Sequence, residues 1–121
     1  MSKRILIVED QEDNRRILRD LLTSAGYELI EAATGEEGVT QAESHQPDLI
    51  LMDIQLPGLD GYEATRRIKA NPALKGIPII AVTSYALSGD DAKAREAGCD
   101  DYVTKPFSPR ELLKKVRGYL D

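Results

Sequence analysis

The hexapeptide Asp48-Leu49-Ile50-Leu51-Met52-Asp53 sets an unbroken apolar run between two acids. With no alternation of polar and apolar positions, it reads as a strand buried on both faces, which is how strands of a helix-covered parallel sheet look. The acid that ends it, Asp53, then emerges where buried sheet meets solvent. Outward from this run the pattern recurs. Arg4 to Val8 ends in Glu9-Asp10, and Tyr27 to Ala33 forms a second candidate strand. Pro78 opens Ile79 to Val82, which ends in Thr83, and Tyr102 to Thr104 is followed by Lys105-Pro106.

Helical signals fill the intervals. From Asn14 the apolar residues Ile17, Leu18, Leu21, Leu22 and Ala25 fall at helical spacing, and Gly26 supplies a stop. Thr34-Gly35-Glu36-Glu37 matches a capping box, predicting a helix to about Ser44. A third helix is expected from Gly61 to about Ala70, before the Asn71-Pro72 break, and a fourth, less apolar one around Ala92 to Ala97, closed by Gly98. Ser108-Pro109-Arg110-Glu111 combines an N-cap, a first-turn proline and a capping-box acid, starting a last helix through Leu120.

Five strands, each followed by a helix, predict an α/β fold: a doubly wound five-stranded parallel sheet in the flavodoxin-like order 2-1-3-4-5, (βα)5. In that order the chain reverses direction between strands 1 and 3, and ligands of open α/β sheets bind outside the carboxyl ends at such a point. Asp10 and Asp53 flank it, while Thr83 and Lys105 face the same rim from one side.

Residues 1–121 suit one domain, with 41% hydrophobic and 31% charged residues arguing for an ordinary core and against disorder. A net charge of −5 disfavours nucleic acid and anionic membrane as partners. No long apolar span or signal peptide is visible, which predicts a cytoplasmic location. The single Cys99 has no Cys or His neighbour at metal spacing and reads as a small buried hydrophobe. His45, in a polar segment before Gln46-Pro47, reads as a solvated helix-end histidine.

The chemistry follows from charge. Carboxylates about 6 Å apart repel by roughly 3 kcal/mol per pair at an effective dielectric of 20, so such a cluster calls for a cation. Mg²⁺ fits, because it takes oxygen ligands and is usually held by one or two carboxylates plus a phosphate oxygen; Mn²⁺ is able to substitute. Asp53 is the candidate nucleophile, giving an aspartyl phosphate. Asp10 would ligate the metal, and Glu9 would act directly or through a water. Lys105 would pair with Asp53 or a phosphate oxygen, and Thr83 would hydrogen-bond another. Singly, Asp10 also reads as a helix cap, Asp53 as a turn acid, Thr83 as an N-cap and Tyr102 as a core aromatic. On one rim they form a phosphoryl-transfer set.

Val8-Glu9-Asp10, Leu51-Met52-Asp53-Ile54-Gln55-Leu56-Pro57-Gly58, Ala81-Val82-Thr83 and Lys105-Pro106-Phe107 together resemble the receiver domain of a two-component response regulator, over essentially the whole chain. Leu51 to Pro57 and Gly98-Cys99 are closest in character to the stand-alone, DivK-like type. The resemblance implies phosphoryl donation to Asp53 by a histidine kinase or histidine phosphotransfer protein. It also implies a metal ligand from the backbone carbonyl of Gln55, a cis bond between Lys105 and Pro106, and a switch aromatic at Tyr102. Output would pass to a protein target through the fourth helix, fifth strand and fifth helix. The family usually has alanine after the switch threonine, where this chain has Ser84; Gln55, Ser84 and Tyr85 are thereby expected to tune phosphate exchange. Beyond its own phosphorylation and dephosphorylation, no enzymatic turnover is expected.

Two other classes use similar parts. Phosphatases of the haloacid dehalogenase type resemble Asp-x-Asp, whereas the second acid is replaced here by Gln55, leaving no obvious group to protonate a leaving alcohol. A phosphorylation-independent binding module on the same fold is the principal alternative. Flavin binding is opposed by Glu9-Asp10, which would repel a phosphate after the first strand.

Overall fold

Continuous apolar runs pack into a sheet only when both faces are covered, and the chain supplies the cover by alternating strand and helix. The computed structural model describes residues 2–83 and 90–121. Within them the elements are β1 (Arg4–Val8), α1 (Glu12–Ser24), β2 (Glu28–Ala32), α2 (Gly35–His45), β3 (Leu49–Asp53), α3 (Gly61–Ala70), β4 (Ile79–Thr83), α4 (Asp90–Ala97), β5 (Asp101–Thr104) and α5 (Pro109–Leu120). The sheet is parallel throughout, in the order β2-β1-β3-β4-β5. This is the flavodoxin-like arrangement expected from the sequence.

Alternate residues of each strand point to opposite faces, so every apolar run feeds two cores. Ile7, Leu51, Ile80 and Val103 pack with Leu18 and Leu22 of α1 and Leu112 and Val116 of α5. Leu6, Ile50, Met52 and Ile79 pack on the other side with Ala42 of α2, Ala64 and Ile68 of α3 and Ala94 of α4. All five residues of β3 are buried, Asp53 included. Among the described residues no helix is long and apolar enough to cross a membrane.

The register fixes which strand ends meet. Val8 lies opposite Met52, Asp53 opposite Val82, and Thr83 opposite Thr104. Glu9, Asp53, Thr83 and Lys105 therefore leave the sheet within about one residue step of each other along its carboxyl edge.

Helix starts follow local chemistry. The amide of Glu37 donates to Thr34 Oγ1 at 3.0 Å and that of Glu111 to Ser108 Oγ at 3.4 Å, as the two capping signals require. A third cap, missed in the sequence, is Asp60, whose Oδ1 accepts from the Glu63 amide at 2.9 Å. Helix α1 begins at Glu12 rather than near Asn14, and its N-cap Gln11 makes no side-chain cap bond. Glu9 instead holds the backbone just ahead of the helix, its Oε2 accepting the Gln11 amide at 3.0 Å. Ile17, expected on the apolar stripe of α1, is instead 55% exposed. The buried stripe runs through Leu18 and Leu22, and position 17 lies a full 100° around the helix from 18.

Gly61 shows how closely α3 approaches the end of β3. Its amide donates to the Ile54 carbonyl at 3.0 Å, and a Cβ there would strike the Asp53 carbonyl oxygen and come within 2.6 Å of Ile54 Cα. Both obstacles are backbone and have no rotamer escape. Gly61→Ala is expected to lower unfolding free energy by about 1–3 kcal/mol, the usual cost of overpacking. Urea denaturation checks this, and a loss under ~0.5 kcal/mol would contradict so tight an approach.

Candidate functional site

Four of the residues singled out in the sequence meet at the carboxyl edge of the sheet. Glu9 is 1% exposed and Asp53 4%, while Asp10 is open to solvent. One carboxylate oxygen from each of the three lies within 4.8 Å of the others. At that spacing like charges repel by roughly 3 to 4 kcal/mol per pair at an effective dielectric of 20, more than the 6 Å estimate suggested.

Lys105 reaches the cluster from β5. Its amide donates to the Thr83 carbonyl at 2.7 Å, and the bond to Pro106 is cis. The ammonium Nζ lies 2.9 Å from Glu9 Oε1 and 3.4 Å from Asp53 Oδ2. The shorter of these contacts is to Glu9, a pairing the sequence did not indicate. Both Glu9 oxygens are thus engaged, one by Lys105 and the other by the Gln11 amide. Asp53 Oδ1 accepts the Gln55 amide at 3.1 Å, which curls the chain over the end of β3.

The remaining sequence candidates divide. Thr83 is buried at the end of β4, and Gln55 is exposed beside Asp53. Tyr102 sits on β5 opposite Ala81, half-buried against the layer that α2, α3 and α4 cover. Ser84 and Tyr85 lie outside the described residues. Asp10 precedes the N-cap position, so capping α1 is not its task.

Charge and burial set distinct ionisation behaviour for each group. Burial disfavours the Glu9 anion, but the Gln11 amide and the Lys105 ammonium outweigh it and hold the carboxyl below the usual glutamate range. Asp53 is pushed up to about 6 by burial and then by the Glu9 charge, which Lys105 and the Gln55 amide only partly oppose. Asp10 is also raised, by burial and by its hydrogen bond and charge contact with Glu9. Lys105 pays desolvation, yet Glu9 and Asp53 hold it above the ordinary lysine value. Three carboxylates facing one ammonium leave negative charge unanswered. All the donors are hard oxygens, a set that suits a small divalent cation with an incomplete protein shell.

The chain is similar to known proteins over its length. The sequence profile of the response regulator receiver domain matches residues 5–117. The polar-differentiation response regulator DivK of Brucella ovis is 44% identical over 120 residues, covering 99% of this chain and 98% of that one. Among solved structures, the receiver domain of the Pseudomonas aeruginosa sensor histidine kinase PA1611, described with a magnesium ion coordinated in its active-site cleft, superposes with a TM-score of 0.93 at 41% identity, covering 99% of this chain and 98% of its own. The Vibrio cholerae chemotaxis protein CheY4 gives 0.93 at 27% identity, covering 98% and 99%. The chain belongs to the response regulator receiver domain family of two-component signalling systems. Membership implies a kinase or phosphotransfer protein as donor and a downstream target.

The raised Asp53 value has a stability consequence of fixed sign. An acid whose folded pKa exceeds its unfolded value favours the folded state while protonated, so stability falls as pH climbs from about 4 to about 6 and stays lower above that. In metal-free protein at pH 7.5, Asp53→Asn should therefore raise stability by on the order of 1 to 3 kcal/mol. The gain should vanish below about pH 4. Thermal melts across this range check it, and destabilisation by Asp53→Asn at pH 7.5 would contradict it.

Proposed function

We propose that Asp53 accepts a phosphoryl group from a phosphohistidine of a histidine kinase or histidine phosphotransfer protein, and that the aspartyl phosphate switches the chain's protein contacts. The observation that carries this reading is the convergence of Glu9, Asp10 and Asp53 within 4.8 Å, with the Lys105 ammonium 3.4 Å from the acceptor carboxylate. The DivK and PA1611 relatives support it, since the first is a response regulator by name and the second carries magnesium at its cleft.

In the transfer, an Asp53 carboxylate oxygen attacks phosphorus as the bond between phosphorus and the donor's imidazole nitrogen breaks, and the imidazole keeps that electron pair. Asp10, Asp53 and the Gln55 carbonyl would hold Mg²⁺, or Mn²⁺ in its place. Both oxygens of Glu9 have other partners, which favours contact through a water. The bound ion supplies positive charge to the phosphoryl oxygens and relieves repulsion between nucleophile and donor. Lys105 neutralises a further phosphoryl oxygen, and Thr83 donates a hydroxyl hydrogen bond to another. The chain thereby catalyses its own phosphorylation and dephosphorylation without turning over a diffusible substrate. Gln55, Ser84 and Tyr85 tune the exchange.

Phosphorylation adds about 1.5 to 2 negative charges and three strong acceptors beside Asp53. Thr83, Lys105 and Tyr102 rearrange around them, and α4, β5 and α5 carry the change to a protein target. A nearly complete switch needs about 5.5 kcal/mol of differential stabilisation, within reach of several charge-assisted hydrogen bonds in a partly dry site. We read residues 1–121 as one receiver domain in the cytoplasm, in keeping with DivK relatives of which the chain covers 98%. Nucleic acid and membrane are not its partners, in keeping with the net charge of −5.

Incubation with acetyl phosphate and Mg²⁺, followed by phosphate-affinity electrophoresis, is expected to retard the wild-type protein and leave Asp53→Asn unshifted. No shift in the wild type, or an equal shift in both, would support a phosphorylation-independent binding module instead.

A further inference from the structure

Two arginines follow each other on α1, and only one turns toward the sheet. Arg15 lies three residues before Leu18 and seven before Leu22, on the buried stripe of the helix, and its side chain is 15% exposed. Arg16, paired with Asp13, is 61% exposed.

The Arg15 guanidinium spreads its donors over three elements of structure. Nη1 donates to the backbone carbonyl of Glu9 at 2.9 Å, Nη2 bonds Glu12, and Nε lies 3.5 Å from Glu31 Oε1 on β2. Glu31 in turn receives a two-pronged contact from Arg19, with Nε and Nη2 each at 2.8 Å. Arg19 also approaches Glu12 at 3.5 Å. Two arginines and two glutamates make a set with no net charge.

The Glu9 residue is thereby clamped on both backbone groups, because its amide donates to the Ala32 carbonyl at 3.0 Å. A peptide unit is rigid and planar, so fixing the Glu9 carbonyl fixes the plane from which Asp10 departs. Asp10 is exposed, and its direction depends on this backbone rather than on packing. We infer that Arg15 is a positioning residue for the cation site: through the Glu9 carbonyl it aims Asp10 and Glu9 at the point where Asp53 converges. The inference rests on the reading of that cluster as a Mg²⁺ site.

Charge and position make opposite demands here, which renders the inference testable. A guanidinium near a cation site repels the cation, so if Arg15 acted by charge, its removal would tighten Mg²⁺ binding. Acting through the backbone, its removal weakens binding. The neutral Arg–Glu set reconciles the two, because Glu12 and Glu31 offset the positive charge while leaving the hydrogen bond in place. An arginine is suited to the task because its planar fork serves several acceptors at once, which a lysine ammonium on its flexible stem does not.

The test is calorimetric titration of Mg²⁺ alone into the full chain at constant ionic strength, with circular dichroism melts to confirm folding. Arg15→Met is expected to raise the Mg²⁺ dissociation constant about tenfold, as is usual when a group orienting a metal ligand is lost. Arg15→Lys, which keeps charge and most packing, should fall between wild type and Arg15→Met. Arg16→Met removes the same charge from the same helix without touching Glu9, and should leave affinity within about twofold because exposed charges are screened. Wild-type binding with Arg15→Met and Arg15→Lys unchanged or tighter would overturn the inference while leaving the metal site intact. Absence of Mg²⁺ binding by the wild type would remove the metal reading itself and this inference with it.

Discussion

The repulsion among three carboxylates gathered at the carboxyl edge of a buried sheet is the constraint on which the rest of this structure turns. Glu9 and Asp53 are among the few polar side chains in the interior, and ionised carboxylates are costly to bury without compensation. Compensation comes from specific neighbours: the Lys105 ammonium, the Gln11 and Gln55 amides, and the hydrogen bond by which the Thr83 carbonyl holds Lys105 in place. It is incomplete, and Asp53 remains raised toward 6. A site left short of positive charge in this way suits a divalent cation.

Much of this was legible in the sequence because buried parallel strands write themselves as unbroken apolar runs. Leu49 to Met52 gave β3 and the position of Asp53, and the alternation of runs with helical segments gave a parallel sheet; the order 2-1-3-4-5 was a choice among doubly wound arrangements, and the structure has it. The caps at Thr34 and Ser108 were readable because their chemistry is local. The start of α1 was not, since its N-cap Gln11 makes no side-chain cap bond and is held instead through its own amide by Glu9, a residue whose spacing also serves the acidic cluster. Ile17 was misplaced because a stripe drawn from apolar residues alone omits an arginine that also lies inward. Arg15 carried a signal in its helical phase with Leu18 and Leu22, but phase does not reveal which acceptor a buried guanidinium finds. The division of Lys105 between Glu9 and Asp53 depends on distances that no linear pattern encodes.

The same edge ties the acids to α5. Lys105 is bonded through its backbone to the end of β4, through its side chain to the acids, and through the chain to Pro106 and the start of α5. At the opposite end of β5, Asp101 pairs with Lys115 at 3.0 Å and the Asp100 carbonyl accepts from Tyr119 at 3.1 Å, tying α5 back to the strand. Lys105 and the contacts that hold α5 therefore sit at opposite ends of one strand. Tyr102, half-buried between them, packs against the face that α2, α3 and α4 cover.

The most direct measurement is paramagnetic line broadening of backbone amide resonances by substoichiometric Mn²⁺. One shared cation should bleach the amides of residues 9 to 11, 53 to 55 and 105 first, together and at the same ratio of metal to protein, with the C-terminal ends of α2 and α5, at the opposite edge of the sheet, least affected. Broadening scattered over the acidic surface, or centred away from Asp10 and Asp53, would contradict a single metal site formed by these carboxylates.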